Sequence, residues 1–124
     1  MESFRIYLES SDLEALVQSL KNMYPGIDLF VTENNYRIHV HEIRVLDPKA
    51  RGQGVGTKVM QAIQQYAQSI GKPIQLTPQG DKGKKAKLLK FYRNLGFYPN
   101  KGRHTDYSLS SVFGGDWLWK PTRK

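Results

Sequence analysis

The residues best suited to chemistry form one hexamer, Arg51-Gly52-Gln53-Gly54-Val55-Gly56. Glycines at alternate positions let a backbone approach a ligand without interference from Cβ. A helix starting here would also have first-turn N–H groups with no intrahelical partner, pointing at whatever anion sits at its mouth. The chemistry is that of holding phosphate. A dinucleotide turn would need G-x-G-x-x-G and a carboxylate about 20 residues later, at the tip of the next strand. The spacing here is G-x-G-x-G, and residues 71–80 contain neither Asp nor Glu, so the dinucleotide reading fails twice. The plain alternative is a tight turn with no ligand.

A second set of reactive side chains precedes the hexamer. His39 and His41 alternate on one face of an extended run, six and four positions before Val45. Imidazole titrates near pH 6.5, which suits proton abstraction close to neutrality. Glu42, expected on the opposite face, is the alternative base, acting through water. The bland reading makes both histidines residues of a wet strand surface. A metal site is not expected, because the chain has no Cys and the remaining histidine, His104, is distant in sequence.

Two motifs together suggest a family. Arg51-x-x-Gly54-x-Gly56 matches the pyrophosphate loop of the GNAT superfamily of acyl-CoA-dependent N-acetyltransferases, and Phe91-Tyr92-Arg93-Asn94-Leu95-Gly96-Phe97 resembles that family's late helix. Between them lies the strand-like Pro73-Ile74-Gln75-Leu76-Thr77, so the resemblance covers residues 36–97. The stretch His39-Val40-His41-Glu42-Ile43-Arg44-Val45 also resembles the paired-histidine strand of arylalkylamine N-acetyltransferases. The resemblance implies acetyl-CoA as cosubstrate and no metal. In it, backbone N–H groups of the loop from Gly52 and Gln53 through Gly54, Val55, Gly56 and Thr57 grip the pyrophosphate, and Arg51 frames it. The backbone near Val45 pairs with pantetheine in a gap between two splayed strands, and Tyr92 serves as general acid toward the departing thiolate. Lys85 and Leu88 depart from the pattern, standing where many members have Asn and Ala. Lys85 cannot accept a hydrogen bond, so the coenzyme contact on that side must differ.

These residues need elements to hold them. An extended run over 36–46, stopped at Asp47-Pro48, leads into the hexamer. Behind it Val55, Val59, Ala62, Ile63, Tyr66, Ala67 and Ile70 recur at the spacing of one helical face, with Gly71 and Pro73 as stop signals. Upstream, Phe4, Ile6 and Leu8 alternate as in a strand, and Ser11-x-x-Glu14 reads as a capping box for a helix carrying Leu13, Leu16, Val17 and Leu20. Ile27, Leu29 and Val31 mark another strand, closed by a hairpin turn at Glu33-Asn34-Asn35-Tyr36, where Asn tolerates positive φ. A helix over 85–95 presents Leu88, Phe91, Tyr92 and Leu95 inward; Gly96 is its C′ residue, and Phe97 should fold back onto Tyr92. Strands are expected over 107–113 and 117–119. The fold class expected is α/β (α+β): a trimmed GNAT-like fold with a mixed, mostly antiparallel sheet and helices on both faces, one domain over 1–124.

Composition supplies bounds. The chain has 124 residues, no cysteine, a formal charge of +8 and a pI near 9.8. It lacks a run of about 18 apolar residues, so no membrane partner is expected. No secretory signal is evident at Met1-Glu2-Ser3-Phe4-Arg5, and a cytoplasmic protein is the simplest expectation. Lys82, Lys84, Lys85, Lys87, Lys90 and Arg93 crowd one region, suited to the phosphates of coenzyme A or else a solvated face. Expected partners are coenzyme A and an amine acceptor, small molecule or protein, with a homodimer possible. Two further readings stay open: a basic nucleic-acid-binding module using Trp117 and Trp119, not favoured, and a GNAT-fold acyl-CoA binder without catalysis.

Overall fold

The computed structural model describes residues 2–46, 54–78, 85–102, 105–109 and 115–122. It opens with helix α1, Glu2–Met23. The strand expected from Phe4, Ile6 and Leu8 is therefore helix, and Ser11 lies inside it. A period-two signal over five residues is short, and a helix already nucleated next door extends without a second nucleation cost. Leu13 and Leu20 are buried on its inner side, with Leu16 and Val17 packed against the core.

Strands β1, Ile27–Glu33, and β2, Ile38–Val45, form an antiparallel hairpin. The turn works differently from expectation. Among the described residues no non-glycine residue has positive φ. Instead Asn34 Oδ1 accepts hydrogen bonds from the backbone N–H groups of Tyr36 and Arg37, at 2.8 and 2.9 Å, so the side chain imitates the missing backbone turn.

Helix α2, Val55–Ile70, buries Val55, Val59, Met60, Ile63 and Ala67 and stops at Gly71, where φ is 71°. Its far end is tied to the hairpin: Tyr66 Oη donates to Glu33 Oε1 at 2.7 Å, and Lys72 Nζ pairs with Glu33 Oε2 at 2.6 Å. Strand β3, Ile74–Leu76, then runs parallel to β2. Helix α3, Lys85–Asn94, strand β4, Tyr98–Pro99, a 3₁₀ turn, Tyr107–Leu109, and strand β5, Trp117–Trp119, complete the order. Tyr107 thus begins a 3₁₀ turn where a strand was expected, and residues 110–114 lie outside the described part.

The sheet has five strands in the order β1-β2-β3-β5-β4, antiparallel except for β2 with β3. This is the mixed, mostly antiparallel α+β fold that the sequence suggests. Its three described helices share one face, whereas helices on both faces were expected. α1 meets β1 and α2, while α2 meets α3 where Phe91 faces Gly56 and where Gln64 Nε2 donates to Leu95 O. The topology accounts for this: β2-α2-β3 and β3-α3-β4 both join parallel strands while moving the same way across the sheet, and crossovers of one hand then fall on one side. Ile38, Val40, Ile74, Leu76 and Trp117 face those helices in a single core. Among the described residues no helix is long and apolar enough to cross a membrane.

Candidate functional site

The site begins with an irregularity in β2. Phe30 pairs with Glu42, yet the next β1 residue, Val31, pairs with Val40, so His41 is an extra residue with no opposite number. The apolar pattern demands this bulge. Ile38 and Val40 keep a period of two, but the next apolar pair, Ile43 and Val45, is displaced by one residue. A regular strand would turn one pair outward, whereas one inserted residue lets Ile38, Val40, Ile43 and Val45 all face inward.

Below the bulge β2 is paired with β3 only from Ile38 to Val40; above it β3 has ended at Leu76. The result is a cleft of about 290 Å³ lined by Phe30, Val40, His41, Glu42, Ile43, Arg44, Leu76, Thr77, Leu88 and Tyr92. The gap between the central strand and the Ile74 strand, implied by the resemblance, is therefore a feature of the molecule.

The bulge also changes which side chains meet. His39 and His41 share a face and stack at 3.9 Å between ring centroids, with Phe30 stacked on the far side of His41 at 4.5 Å. Thr32 Oγ1 and His41 Nε2 are hydrogen-bonded at 2.7 Å. Glu42 pairs with Phe30 and lines the cleft beside His41, so it is not on the opposite face as a regular strand would place it. Its carboxylate lies 3.4 Å from Arg44. His39 sits behind His41, and burial, reinforced by the neighbouring His41 and Arg37, holds its pKa below the usual 6.5 against the opposing pull of Asp116. At neutral pH His39 is thus an uncharged imidazole able to accept a proton.

Tyr92, on α3, lines the same cleft as His41. It is 5% exposed, and burial pushes its pKa up to about 12. Its position is fixed by the end of its own helix. Gly96 has φ 92°, Phe97 N–H donates to Tyr92 O at 3.0 Å and Gly96 N–H donates to Arg93 O at 3.0 Å, the two bonds of a Schellman stop. Phe97 then packs edge-on against the Tyr92 ring at 5.8 Å. This is the arrangement expected from Gly96-Phe97. Leu88 lines the same cleft, whereas Lys85 lies outside it.

The mouth of α2 completes the site. Gly54 caps it with φ 75° and no side-chain hydrogen bond, and no acidic residue occupies the first turn. Among the described residues its amides are therefore not taken up by a capping side chain or opposed by a first-turn carboxylate, which fits an anion. A Cβ on Gly56 would come within 3.4 Å of Phe91 Cζ, so this glycine also permits the close approach of α3. Val55 is buried and Thr57 half-buried on that first turn, and Val45 ends the strand leading to it. Arg51, Gly52 and Gln53 lie outside the described residues, as does His104. Sequence reasoning missed Phe30 and Thr77 at the cleft and Thr32 beside His41; the slipped alternation in β2 was the available signal for Phe30 and Thr32.

The family described as acetyltransferase (GNAT) domain matches residues 18–99. No curated protein matches the chain. Among solved structures it resembles the anti-CRISPR protein AcrVA5, with 21% identity, 77% of this chain and 92% of that one covered, and a TM-score of 0.58. It also matches the Bacillus subtilis N-acetyltransferase YlbP in complex with coenzyme A, at 20% identity and TM-score 0.46, covering 77% of this chain and 59% of that one. A mutant AtaT toxin bound to the C-terminus of the antitoxin AtaR and acetyl-CoA matches at 14% identity and TM-score 0.43, covering 76% and 55%. The chain thus spans less than two thirds of the latter two.

Proposed function

Because the chain belongs to the GNAT acetyltransferase family, we propose that it transfers an acetyl group from acetyl-CoA to a primary amine by direct attack. The observation that supports this reading is the bulge at His41, beside which β2 parts from β3 and a cleft is lined by both His41 and Tyr92. Acetyl-CoA supplies the activated acyl group; the new bond is N–C, the broken bond C–S, and one proton must leave the nitrogen while another is offered to sulfur.

The chain's own residues answer these demands. The backbone amides of Gly54, Val55, Gly56 and Thr57, with Arg51, Gly52 and Gln53 ahead of them, bind the pyrophosphate, and the β2 backbone up to Val45 aligns pantetheine as an added strand. The histidine pair takes the proton from nitrogen, with His41 at the cleft and the uncharged His39 behind it. Glu42 is the alternative base; its carboxylate is already engaged by Arg44.

Tyr92 acts mainly as a hydrogen-bond donor. With a pKa of about 12 it stays protonated at neutral pH. Handing its proton outright to a thiolate of ordinary pKa, about 8.5, is uphill. A donor held in place still lowers the barrier to thiolate departure. Tyr92→Phe is therefore expected to leave acetyl-CoA affinity nearly intact and to lower kcat roughly 10- to 100-fold, the worth of one hydrogen bond to a charged group. Initial rates with a panel of primary amines, alongside acetyl-CoA thermal shifts, make the test. An unchanged rate at every pH removes Tyr92 from the mechanism, and coenzyme binding without acetylated product across the panel identifies a non-catalytic binder.

A further inference from the structure

A second cleft adjoins the first. About 350 Å³ in volume, it is lined by Lys85, Arg93, Lys101, Asp116 and Trp117 among others, and it shares Thr77 with the cleft that holds Tyr92. Its charge is layered. At the floor Asp116 is 2% exposed and accepts a hydrogen bond from Thr77 Oγ1 at 2.8 Å. Among the described residues three exposed cations, Lys85, Arg93 and Lys101, stand at the rim. Arg93 is seated over the Trp117 ring, its guanidinium carbon 5.4 Å from the centroid. Among the described residues none of these three cations is in an ion pair.

We propose that this groove receives the acyl acceptor, and that the acceptor is a primary amine bearing an anionic group. The ammonium is drawn toward Asp116 and Thr77, and the carboxylate or phosphate of the same molecule sits among Lys85, Arg93 and Lys101. This rests on the acetyltransferase reading above and deepens it by naming the class of acceptor. The geometry supplies the direction of travel: Thr77 stands just past the end of β3 and lines both clefts, so an amine lodged at Asp116 lies beside the cleft that His41 lines. The carboxylate is close enough to His39 to raise its pKa, the smallest influence on a group that burial, His41 and Arg37 together lower. Selectivity follows from charge. A simple diamine meets a rim of its own sign, whereas an amine carrying an anion satisfies both layers.

Two matched pairs of probes test this at saturating acetyl-CoA: 6-aminohexanoate against 1,5-diaminopentane, and a lysine peptide flanked by Glu against one flanked by Gln. The expected result is a kcat/KM at least about tenfold higher for the anionic member of one or both pairs, from two or three partly screened charge contacts. The responding pair tells a small-molecule acceptor from a peptide. Lys85→Ala with Lys101→Ala should bring that ratio toward one, and both substitutions are at exposed positions that leave the core intact. Asp116→Asn should raise KM for the amine about tenfold. Quenching of tryptophan fluorescence, with Trp117 in the groove as reporter, gives a readout independent of turnover: saturable quenching by the anionic member alone supports the assignment. Equal or reversed preference in both pairs while acetyl transfer proceeds overturns it and leaves the transferase reading standing. Absence of selective quenching overturns it whatever the rates. Failure of acetyl-CoA to bind removes both.

Discussion

At the residue scale the chemistry turns on a proton-accepting pair in which His39 is half-buried and His41 exposed. His39 is kept uncharged by burial, His41 and Arg37, so its protonation opposes folding as well as catalysis. The sign is fixed by linkage. A histidine whose folded pKa lies below its unfolded value contributes stability that is complete above about pH 6.5 and is lost as pH falls through the folded pKa. Thermal melts should therefore show Tm declining below about pH 6.5, with a shallower decline in His39→Gln. Rate profiles read the same group. With His39→Gln and His41→Gln combined, the acid limb of the pH–rate profile should disappear, whereas its persistence would move the role of base to Glu42, to be checked with Glu42→Gln. The residue types were legible in the sequence. Their grouping was not, because it depends on one unpaired residue that brings Glu42 round to the histidines.

At the scale of elements that same residue makes the sharpest prediction. Deleting His41 leaves Ile38-His39-Val40-Glu42-Ile43-Arg44-Val45, a strand of perfect alternation that can pair with β1 without interruption. The deleted protein should fold with Tm within a few degrees of the parent, yet lose acetyl-CoA binding as the gap beside β3 closes. His41→Gln keeps the bulge and should retain binding while losing rate. Coenzyme affinity retained in the deletion would show that the bulge does not make the cleft. The end of α3 offers a second test. At Gly96, with φ 92°, an added Cβ would also lie 3.4 Å from Trp119 Cδ1. Gly96→Ala should cost about 1–2 kcal/mol, seen as a Tm lower by several degrees, and should reduce kcat by loosening Tyr92. This stop was readable from Gly96-Phe97, since the motif is local. The opening of α1 was not, because the short alternation of Phe4, Ile6 and Leu8 yields to helix propagation from its neighbour.

At the scale of the whole molecule, a sheet of five strands with its described helices on one face sets the open edge of β2 and the inner side of α3 around one gap, and the approach of Phe91 to Gly56 brings the first turn of α2 up to α3. The order of motifs along the chain foreshadowed this, because loop, strand and late helix must converge once β2 and β3 run parallel. The charge of +8 was less informative on its own. Only the fold shows that Lys85 and Arg93 join Lys101 above a buried Asp116, four residues scattered over more than thirty positions of sequence. The claim on which the rest depends is that the α2 mouth and the adjoining cleft hold an acyl carrier by its two ends. Calorimetric titration of the intact protein with acetyl-CoA tests it most directly. The account predicts saturable one-to-one binding, with a Kd in about the micromolar to sub-millimolar range usual for such cosubstrates. No heat at about 1 mM acetyl-CoA, together with an unmoved melting curve, would contradict it.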